Sequence, residues 1–193
     1  MSESVGTGAA RAEEKELRLL VERAQRGDAA AVEQLYLRHF DRIYSFLAVS
    51  VGNRHDAEDL TIQTFVRMIE SIERFRWQSV PFSAWLFRIA RNLAIDHYRA
   101  TNRWQPEADV PEERGAEAPS AEETAIRQLG RASMAKMLRS LPAEQRQVLI
   151  LKFLFSFANG EVATIIGKSE GAVKALQHRA LTSLQRHAIP YAA

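Results

Sequence analysis

Residues Asn159–Gln177 combine cationic, small and turn-forming side chains at the spacing of a helix-turn-helix. Ala163 is small where two short helices would touch, and Gly167 supplies the positive φ that the turn needs. Val173 would pack the second helix onto the first, and Ser169 stands where the N-cap of that helix is expected. The alternative is an ordinary helical hairpin that ends its first helix at Gly167. The shared register of these positions favours the helix-turn-helix, which lays its second helix in the major groove of duplex DNA.

The second helix of this unit has a polar outer side that suits contacts with DNA. On a helical projection, Val173, Leu176 and Ala180 share the buried side. Cations on the outer side would neutralise phosphates or reach guanine edges, and small residues would let the helix approach the bases. Glu170 would either accept from a cytosine amine or complement the helix dipole. The residues that we expect to face DNA are Lys168, Ser169, Glu170, Gly171, Ala172, Lys174, Ala175, His178 and Arg179.

A second cationic pattern occupies a predicted helix over Phe82–Arg103, directly after Pro81. One stripe of this helix, interrupted only by Ile95, carries Arg88, Arg91, Asn92, Arg99, Asn102 and Arg103. Just before the helix, Arg74-Phe75-Arg76-Trp77 interleaves cations with aromatic rings. This combination suits single-stranded nucleic acid, because cations follow the backbone and exposed rings receive unstacked bases. The alternatives are a solvated arginine face and a core position for Trp77 and Trp85.

The apolar pattern predicts an all-α chain, because no segment has the period of a strand. We expect an N-terminal helical domain at residues 21–103, preceded by a disordered tail at residues 1–20 that is rich in small residues near its start. Its helices are predicted near Ala29–Val51, from Asp56 with Asp59 as a capping-box acid, and after Pro81. The second of these helices should bury Leu60, Phe65, Met68, Ile69 and Ile72.

A flexible acidic linker is predicted at residues 104–125, since this segment has a net charge of −6, three prolines and few apolar residues. The total charge of +2 therefore leaves +8 for the rest of the chain, a balance that suits a nucleic-acid partner. The second small helical domain should occupy residues 126–190. We expect one helix through Leu138, another beginning at Pro142, and a buried face formed by Val148, Leu149, Phe153 and Leu154.

Several functional classes find no support in the sequence. There are no cysteines, hence no disulfide or thiolate metal site, and the five histidines are scattered without metal-ligand spacing. We therefore expect no catalytic residue, no metal and no cofactor. No signal peptide or membrane-length apolar run is present, which predicts a cytoplasmic protein without membrane insertion. Two functional classes stay open on these features alone. One is a stand-alone transcriptional regulator that uses the helix-turn-helix, and the other is an enzyme on a helical scaffold.

The order of motifs resembles a bacterial sigma factor of the extracytoplasmic-function (ECF) type, in the sigma-70 family. The resemblance rests on AEDLTIQTFVRMIESIERF (Ala57–Phe75), WLFRIARNLAIDHYR (Trp85–Arg99), the acidic linker, LPAEQRQVLILKF (Leu141–Phe153) and the helix-turn-helix. It implies that the first domain binds the clamp helices of the polymerase β′ subunit and melts the minus-ten element. The second domain would read the minus-thirty-five element and touch the β flap. An anti-sigma factor is a further implied partner.

Residue roles follow from the resemblance position by position. Core-polymerase contacts are implied for Glu58, Asp59, Thr61, Gln63 and Arg67. Minus-ten contacts are implied for Arg88, Asn92 and Arg99, with the Ser71–Ser83 loop as the cradle for a flipped base. The cationic and aromatic pattern adds Arg74, Arg76, Trp77, Arg91 and Arg103 to the minus-ten candidates. The chain departs from the family pattern at Ile62-Gln63, where Gln-Glu is usual. It departs again at Leu176-Gln177, where Arg-Leu is common, so no promoter sequence is implied.

Overall fold

The computed structural model describes residues 4–77, 80–101, 138 and 140–188. An N-terminal domain holds α1 (Ser4–Gln25), α2 (Ala29–Val51), α3 (Arg54–Ser71), a 3-10 turn (Ile72–Arg74) and α4 (Phe82–Thr101). A C-terminal domain holds α5 (Ala143–Leu149), a π-helical turn (Ile150–Leu154), α6 (Asn159–Ile166) and α7 (Glu170–Ala188). The described residues contain no strand, and the predicted all-α class is confirmed. The 104–125 linker and the helix predicted up to Leu138 lie outside the described residues, apart from Leu138 itself.

Helix α2 is the centre of the N-terminal domain and has the bounds that the sequence predicts. Its N-cap is Asp28, whose Oδ1 accepts from the amides of Ala30 and Ala31 at 3.0 and 3.2 Å. Gly52 ends the helix with φ 74°, a conformation that glycine adopts without strain. The apolar stripe of α2 is buried against α1, α3 and α4, and its most buried members are Leu35, Ile43, Phe46 and Leu47.

Helix α3 begins at Arg54, three residues earlier than an N-cap at Asp56 predicts. Asn53, rather than Asp56, is the N-cap, and its Oδ1 accepts from the amides of His55 and Asp56 at 2.9 and 3.2 Å. Asp56 instead places a carboxylate oxygen 3.3 Å from Nε2 of His97 on α4. The prediction of an N-cap at Asp56 is therefore wrong. The side-chain oxygen of Asn53, three residues earlier, already accepts from the free backbone N–H groups at the start of the helix.

The expected disordered tail is largely helical, since α1 starts at Ser4. Leu20, Val21 and Ala24 of this helix are buried, and Leu17 packs against the same core. These positions recur at helical spacing, so one face of α1 gains apolar contacts that composition alone did not indicate. The N-terminal domain consequently has four packed helices rather than three.

The π-helical turn rotates the apolar face of the C-terminal domain. Phe153 and Leu154, predicted as core residues, are 58% and 44% exposed. The buried rings are those of Phe155 and Phe157. A π turn contains more residues than an α turn, so the residues that follow it fall out of register with a regular helical projection. That local irregularity corrects the prediction for Phe153 and Leu154.

Phe155 and Phe157 also join the two domains. The ring of Phe155 lies 5.9 Å from that of Phe46 on α2 and 5.2 Å from that of Phe87 on α4. Nη2 of Arg42 donates to the carbonyl oxygen of Phe155 at 2.9 Å. Its guanidinium lies over the rings of Phe87 and Phe157, at 5.6 and 5.5 Å from their centroids. The two domains therefore share a partly aromatic interface with a cation at its edge.

His39 is a buried histidine that packs on apolar surface. Its ring centroid lies 5.4 Å from that of Phe82, and neither ring nitrogen has a hydrogen-bond partner among the described residues. Burial, together with the neighbouring Arg42 and Arg38 cations, lowers the pKa of His39 from 6.5 to about 4. The imidazole is therefore neutral in the folded protein at pH 7.

We expect His39 to make the fold acid-sensitive. Because its folded pKa lies below its unfolded value, the unfolded chain binds the proton more tightly. The contribution of neutral His39 to the free energy of unfolding is fully present above about pH 6.5 and is lost as the pH decreases toward 4. At pH 5 the free energy of unfolding should be about 2 kcal/mol lower than at pH 7 from this group alone. Urea unfolding at the two pH values measures the difference.

Matched variants isolate the contribution of His39. His39→Leu should remove this share of the pH dependence, whereas His55→Leu, at an exposed site on α3, should keep it. An unchanged pH dependence in the His39→Leu protein would contradict the assignment.

Candidate nucleic-acid interface

The turn between α6 and α7 has the geometry of a helix-turn-helix. Gly167 has φ 70°, and its amide N–H donates to the carbonyl oxygen of Ala163. The amide of Lys168 donates to the same oxygen at 2.9 Å. At the start of α7, Oγ of Ser169 accepts from the amide of Ala172 at 3.3 Å. The turn glycine and the N-cap predicted from the sequence are both confirmed.

Helix α7 divides into a buried and an exposed side as the projection predicts. Val173, Leu176 and Ala180 are buried against the rest of the C-terminal domain. The exposed residues are Lys168, Ser169, Glu170, Gly171, Lys174, Ala175, His178 and Arg179, while Ala172 is half-buried. Lys168 differs from the other cations, because its Nζ lies 2.9 Å from a carboxylate oxygen of Glu144 on α5. Lys174 and Arg179 are therefore better candidates for phosphate or base contacts than Lys168.

Glu170 is held close to the first turn of α6. A Cβ atom added to Gly160 would lie 2.9 Å from Oε1 of Glu170, so the missing side chain of Gly160 leaves room for this carboxylate. Near two helix N-termini, a negative charge is stabilised by the helix dipoles. This position supports the dipole role for Glu170 over a contact with cytosine.

Helix α4 exposes the central part of its predicted stripe. Arg88, Asn92 and Arg99 are exposed, and Nη1 of Arg99 lies 3.7 Å from Asp96. Arg91 is half-buried instead, and its Nε donates to Oε1 of Gln147 on α5 at 3.1 Å. Burial lowers the pKa of Arg91, and Glu144 partly offsets this effect. Arg103, the last member of the stripe, lies outside the described residues.

The segment before α4 alternates outward cations with inward rings. Arg74 and Arg76 are exposed, whereas Phe75 is buried. Trp77 is half-buried, with its ring 5.3 Å from that of Phe75 and the guanidinium of Arg18 at 5.0 Å on its face. Trp77 therefore supports the segment, and the core alternative applies to it rather than the free ring expected for base stacking. Trp85 likewise packs in this aromatic cluster.

Helix α3, which is expected to bind polymerase, exposes most of the residues predicted to make this contact but buries one of them. Asp59, Gln63 and Arg67 are exposed on α3, and Glu58 is half-buried beside Arg54. Thr61 has no exposed surface, and its hydroxyl donates to the carbonyl oxygen of Ala57 at 2.6 Å. Thr61 can therefore act only through packing, which changes the direct contact expected from the sequence.

Sequence reasoning missed an exposed apolar stripe on α3. Ile62, Val66 and Ile69 are 57%, 47% and 51% exposed, and their spacing places them on one side of the helix. Ile69 had been predicted to be buried, and that prediction is wrong. The sequence does contain a pattern that indicates this stripe. Three apolar residues at i, i+4 and i+7 lie beside the polar residues expected to bind polymerase. Ile62, which replaces a usual glutamine, extends this stripe.

The two surfaces predicted to bind nucleic acid meet in an open cleft between the domains. Val80 and Arg88 line one side, and Gly167, Lys168 and Ser169 of the helix-turn-helix line the other. In the described part of the chain, no three His, Asp or Glu side chains are arranged to hold a metal ion. None of the helices described here combines the length and apolar character that a membrane span requires.

Comparisons with known proteins match both domains. The Sigma-70 region 2 model matches residues 35–104, and the Sigma-70 region 4 model matches residues 131–184. The ECF RNA polymerase sigma factor BldN of Streptomyces coelicolor is 38% identical over 169 residues, covering 86% of this chain and 64% of BldN. The ECF sigma factor ShbA of Streptomyces griseus is 33% identical over 176 residues, covering 86% of this chain and 92% of ShbA. The chain thus spans less than two thirds of BldN but nearly all of ShbA.

Two solved structures resemble the fold over most of the chain. CnrH in complex with the cytosolic domain of CnrY aligns with a TM-score of 0.67 and 28% identity, covering 91% of this chain and 98% of CnrH. The sigma factor RpoE, in complex with the anti-sigma factor NepR from Bartonella quintana, aligns with a TM-score of 0.60 and 29% identity over 80% of this chain and 94% of RpoE. With region 2, region 4 and the helix-turn-helix all in place, the chain belongs to the ECF sigma factors of the sigma-70 family.

Proposed function

We propose that this chain directs core RNA polymerase to specific promoters. The observation that carries the proposal is the presence, in one chain, of two different exposed cationic surfaces, each with a composition that suits nucleic acid. One is the helix-turn-helix helix α7, and the other is the arginine and asparagine stripe on α4 with its preceding segment. A duplex reader and a single-strand reader together fit a factor that first docks on DNA and then stabilises its melted form.

We assign α7 to the minus-thirty-five element. Lys174 and Arg179 are exposed on the side opposite Val173, so the helix can enter the major groove without disturbing its packing. Gly171 and Ala175 are small and exposed on the same helix, which lets its backbone come near the bases.

We assign the α4 stripe to the melted minus-ten element. Arg88, Asn92 and Arg99 offer two cations and one amide at helical spacing, and Arg74 and Arg76 add cations from the preceding segment. The cations would follow the phosphates, whereas the amide of Asn92 can donate to and accept from a base edge. The loop from Ser71 to Ser83 would then hold a base flipped out of the stack.

We assign the exposed side of α3 to the polymerase β′ clamp helices. Its apolar stripe, Ile62, Val66 and Ile69, is flanked by Asp59 and Arg67. An apolar centre with a charged rim is the usual composition of a protein–protein contact. The C-terminal domain would contact the β flap, as in the family.

The remaining proposed partner is an anti-sigma factor that binds the protein in the cytoplasm. Support comes from the RpoE structure, which holds an anti-sigma factor and resembles this chain over both domains. The test of the function as a whole is promoter-specific run-off transcription by core polymerase in the presence and absence of this protein.

A further inference from the structure

Helix α1 makes specific polar contacts with the segment that precedes α4. Nε2 of Gln25 donates to the carbonyl oxygens of Ile72 and Phe75, both at 2.9 Å. Ile72 is the first residue of the 3-10 turn and Phe75 directly follows its last residue, and the amide of Phe75 donates to the carbonyl oxygen of Ile72 at 3.0 Å. A single side-chain amide thus fixes both ends of this turn across 47 to 50 residues of chain.

A second contact from α1 lies two helical turns away on the same side. The guanidinium of Arg18 is 5.0 Å from the ring centroid of Trp77, and the ring of Phe75 packs edge to face on the same tryptophan at 5.3 Å. Arg18 and Gln25 are seven residues apart, so both face the same neighbour. Helix α1 therefore holds the 72–77 segment at Ile72, Phe75 and Trp77.

These anchors determine which side chains the segment presents outward. With Phe75 and Trp77 turned inward, the alternating residues Arg74 and Arg76 are exposed. The carbonyl oxygen of Phe75 also accepts from Nη1 of Arg76 at 2.9 Å, so the same atom is shared by the α1 anchor and an exposed cation. A change at Gln25 should therefore reach Arg76 through one carbonyl group.

We infer that α1 contributes to recognition of the minus-ten element. Gln25 and Arg18 act as positioning residues for the 72–77 segment. The inference rests on the proposed assignment of this segment to the melted minus-ten strand. The match to the Sigma-70 region 2 model begins at residue 35 and leaves α1 outside, so family membership does not assign this role. The competing interpretation is that α1 only covers the core through Leu20, Val21 and Ala24.

Binding of single-stranded minus-ten oligonucleotides to the holoenzyme separates the two interpretations. The affinity is measured for the intact strand and for strands that carry one abasic site, moved position by position. For the wild-type protein we expect one position where the abasic site weakens binding, because a flipped base is lost there. This position defines the base that depends on the 72–77 segment.

Gln25→Met removes the amide donor and keeps the length of the side chain. It should weaken binding of the intact strand about tenfold, because without these two hydrogen bonds the 72–77 segment spends less time in its binding conformation. On the strand that is abasic at the defined position, Gln25→Met and wild type should bind equally. The matched control is Gln34→Met, at an exposed glutamine of α2, which should behave as wild type on every strand.

Arg18→Ala keeps the test independent of folding, because Arg18 is exposed and does not fill the core. It should weaken binding about threefold at the same defined position, whereas Arg11→Ala, at an exposed arginine on the same helix, should have no effect. Equal losses on intact and abasic strands, or wild-type behaviour of both variants, would overturn the role of α1. A wild-type holoenzyme that binds the intact strand yet has no abasic-sensitive position would instead overturn the proposed base cradle, and the role of α1 with it.

Discussion

Replacing Lys174 or Arg179 with alanine should weaken closed-complex formation on duplex promoter DNA about tenfold, the effect of losing one good base or phosphate contact. Both side chains are exposed on α7, so the substitutions should leave the fold intact. Binding to a template that is already melted over the minus-ten element should change little, since the proposed assignment gives its single strand to the N-terminal domain. Filter binding on the duplex and on the pre-melted template measures the two steps separately.

Asn92→Ala should give the reverse result. Asn92 is exposed on α4, and its amide serves the melted strand in the proposed assignment. We expect closed-complex formation to remain near the wild-type level, while stable opening is lost by about tenfold. Arg11→Ala on α1 is the control for the Lys174 and Arg179 variants, since it also removes one exposed cation. If the α7 and α4 variants fail equally on both templates, the division between the two surfaces is wrong.

Phe155→Ala should separate the two domains in the free protein. The ring of Phe155 packs on Phe46 and Phe87 of the N-terminal domain, and truncating a buried phenylalanine costs about 3–5 kcal/mol. Much of this loss of stabilising free energy should weaken the contact between the two domains, because the rings next to Phe155 belong to the N-terminal domain. The chain has no cysteine, so cysteines introduced at exposed Gln34 and Gln185 can be labelled selectively for energy transfer. We expect the transfer efficiency to fall.

Phe153→Ala is the matched control, because Phe153 is the same residue type two positions earlier and is 58% exposed. Its transfer efficiency should equal that of the wild type. Arg42→Met provides a second variant, since it removes the hydrogen bond to the Phe155 carbonyl oxygen and the cation over two rings. Unchanged transfer in both Phe155→Ala and Arg42→Met would show that these contacts do not hold the domains together.

The same interface bears on the proposed promoter binding. Arg88 of α4 faces Lys168 and Ser169 across the cleft, so the two surfaces proposed to bind nucleic acid lie opposite each other. Promoter elements more than one DNA turn apart are separated by more than about 34 Å, which requires the domains to part. Assembly with core polymerase and promoter DNA should therefore lower the transfer efficiency of the wild-type protein, as Phe155→Ala does in the free protein.

Local rules were sufficient to predict the features that depend on a few neighbouring residues. The helix-turn-helix depends on a glycine at positive φ, a serine N-cap and one buried valine, and all three can be read from Gly167, Ser169 and Val173. The exposed side of α7 followed from helical periodicity. The bounds of α2 also agreed, because Asp28 and Gly52 are strong signals for a helix start and end.

Features that depend on tertiary contacts or on an irregular backbone were not predictable in this way. The π-helical turn moved the buried positions from Phe153 and Leu154 to Phe155 and Phe157, and no side-chain pattern marks such a turn. The contacts of Gln25 join residues far apart in the chain, so no local spacing indicates them.

Run-off transcription with purified core RNA polymerase and templates drawn from the protein's own genome is the most direct test of the proposed function. We expect core enzyme alone to give no specific transcript, and the addition of this protein to produce defined start sites. The isolated protein should bind the same promoters only weakly, because a single helix-turn-helix lacks the second half-site of a dimer. Nanomolar specific binding by the isolated protein, without any transcript that depends on it, would contradict the proposal and identify a stand-alone regulator.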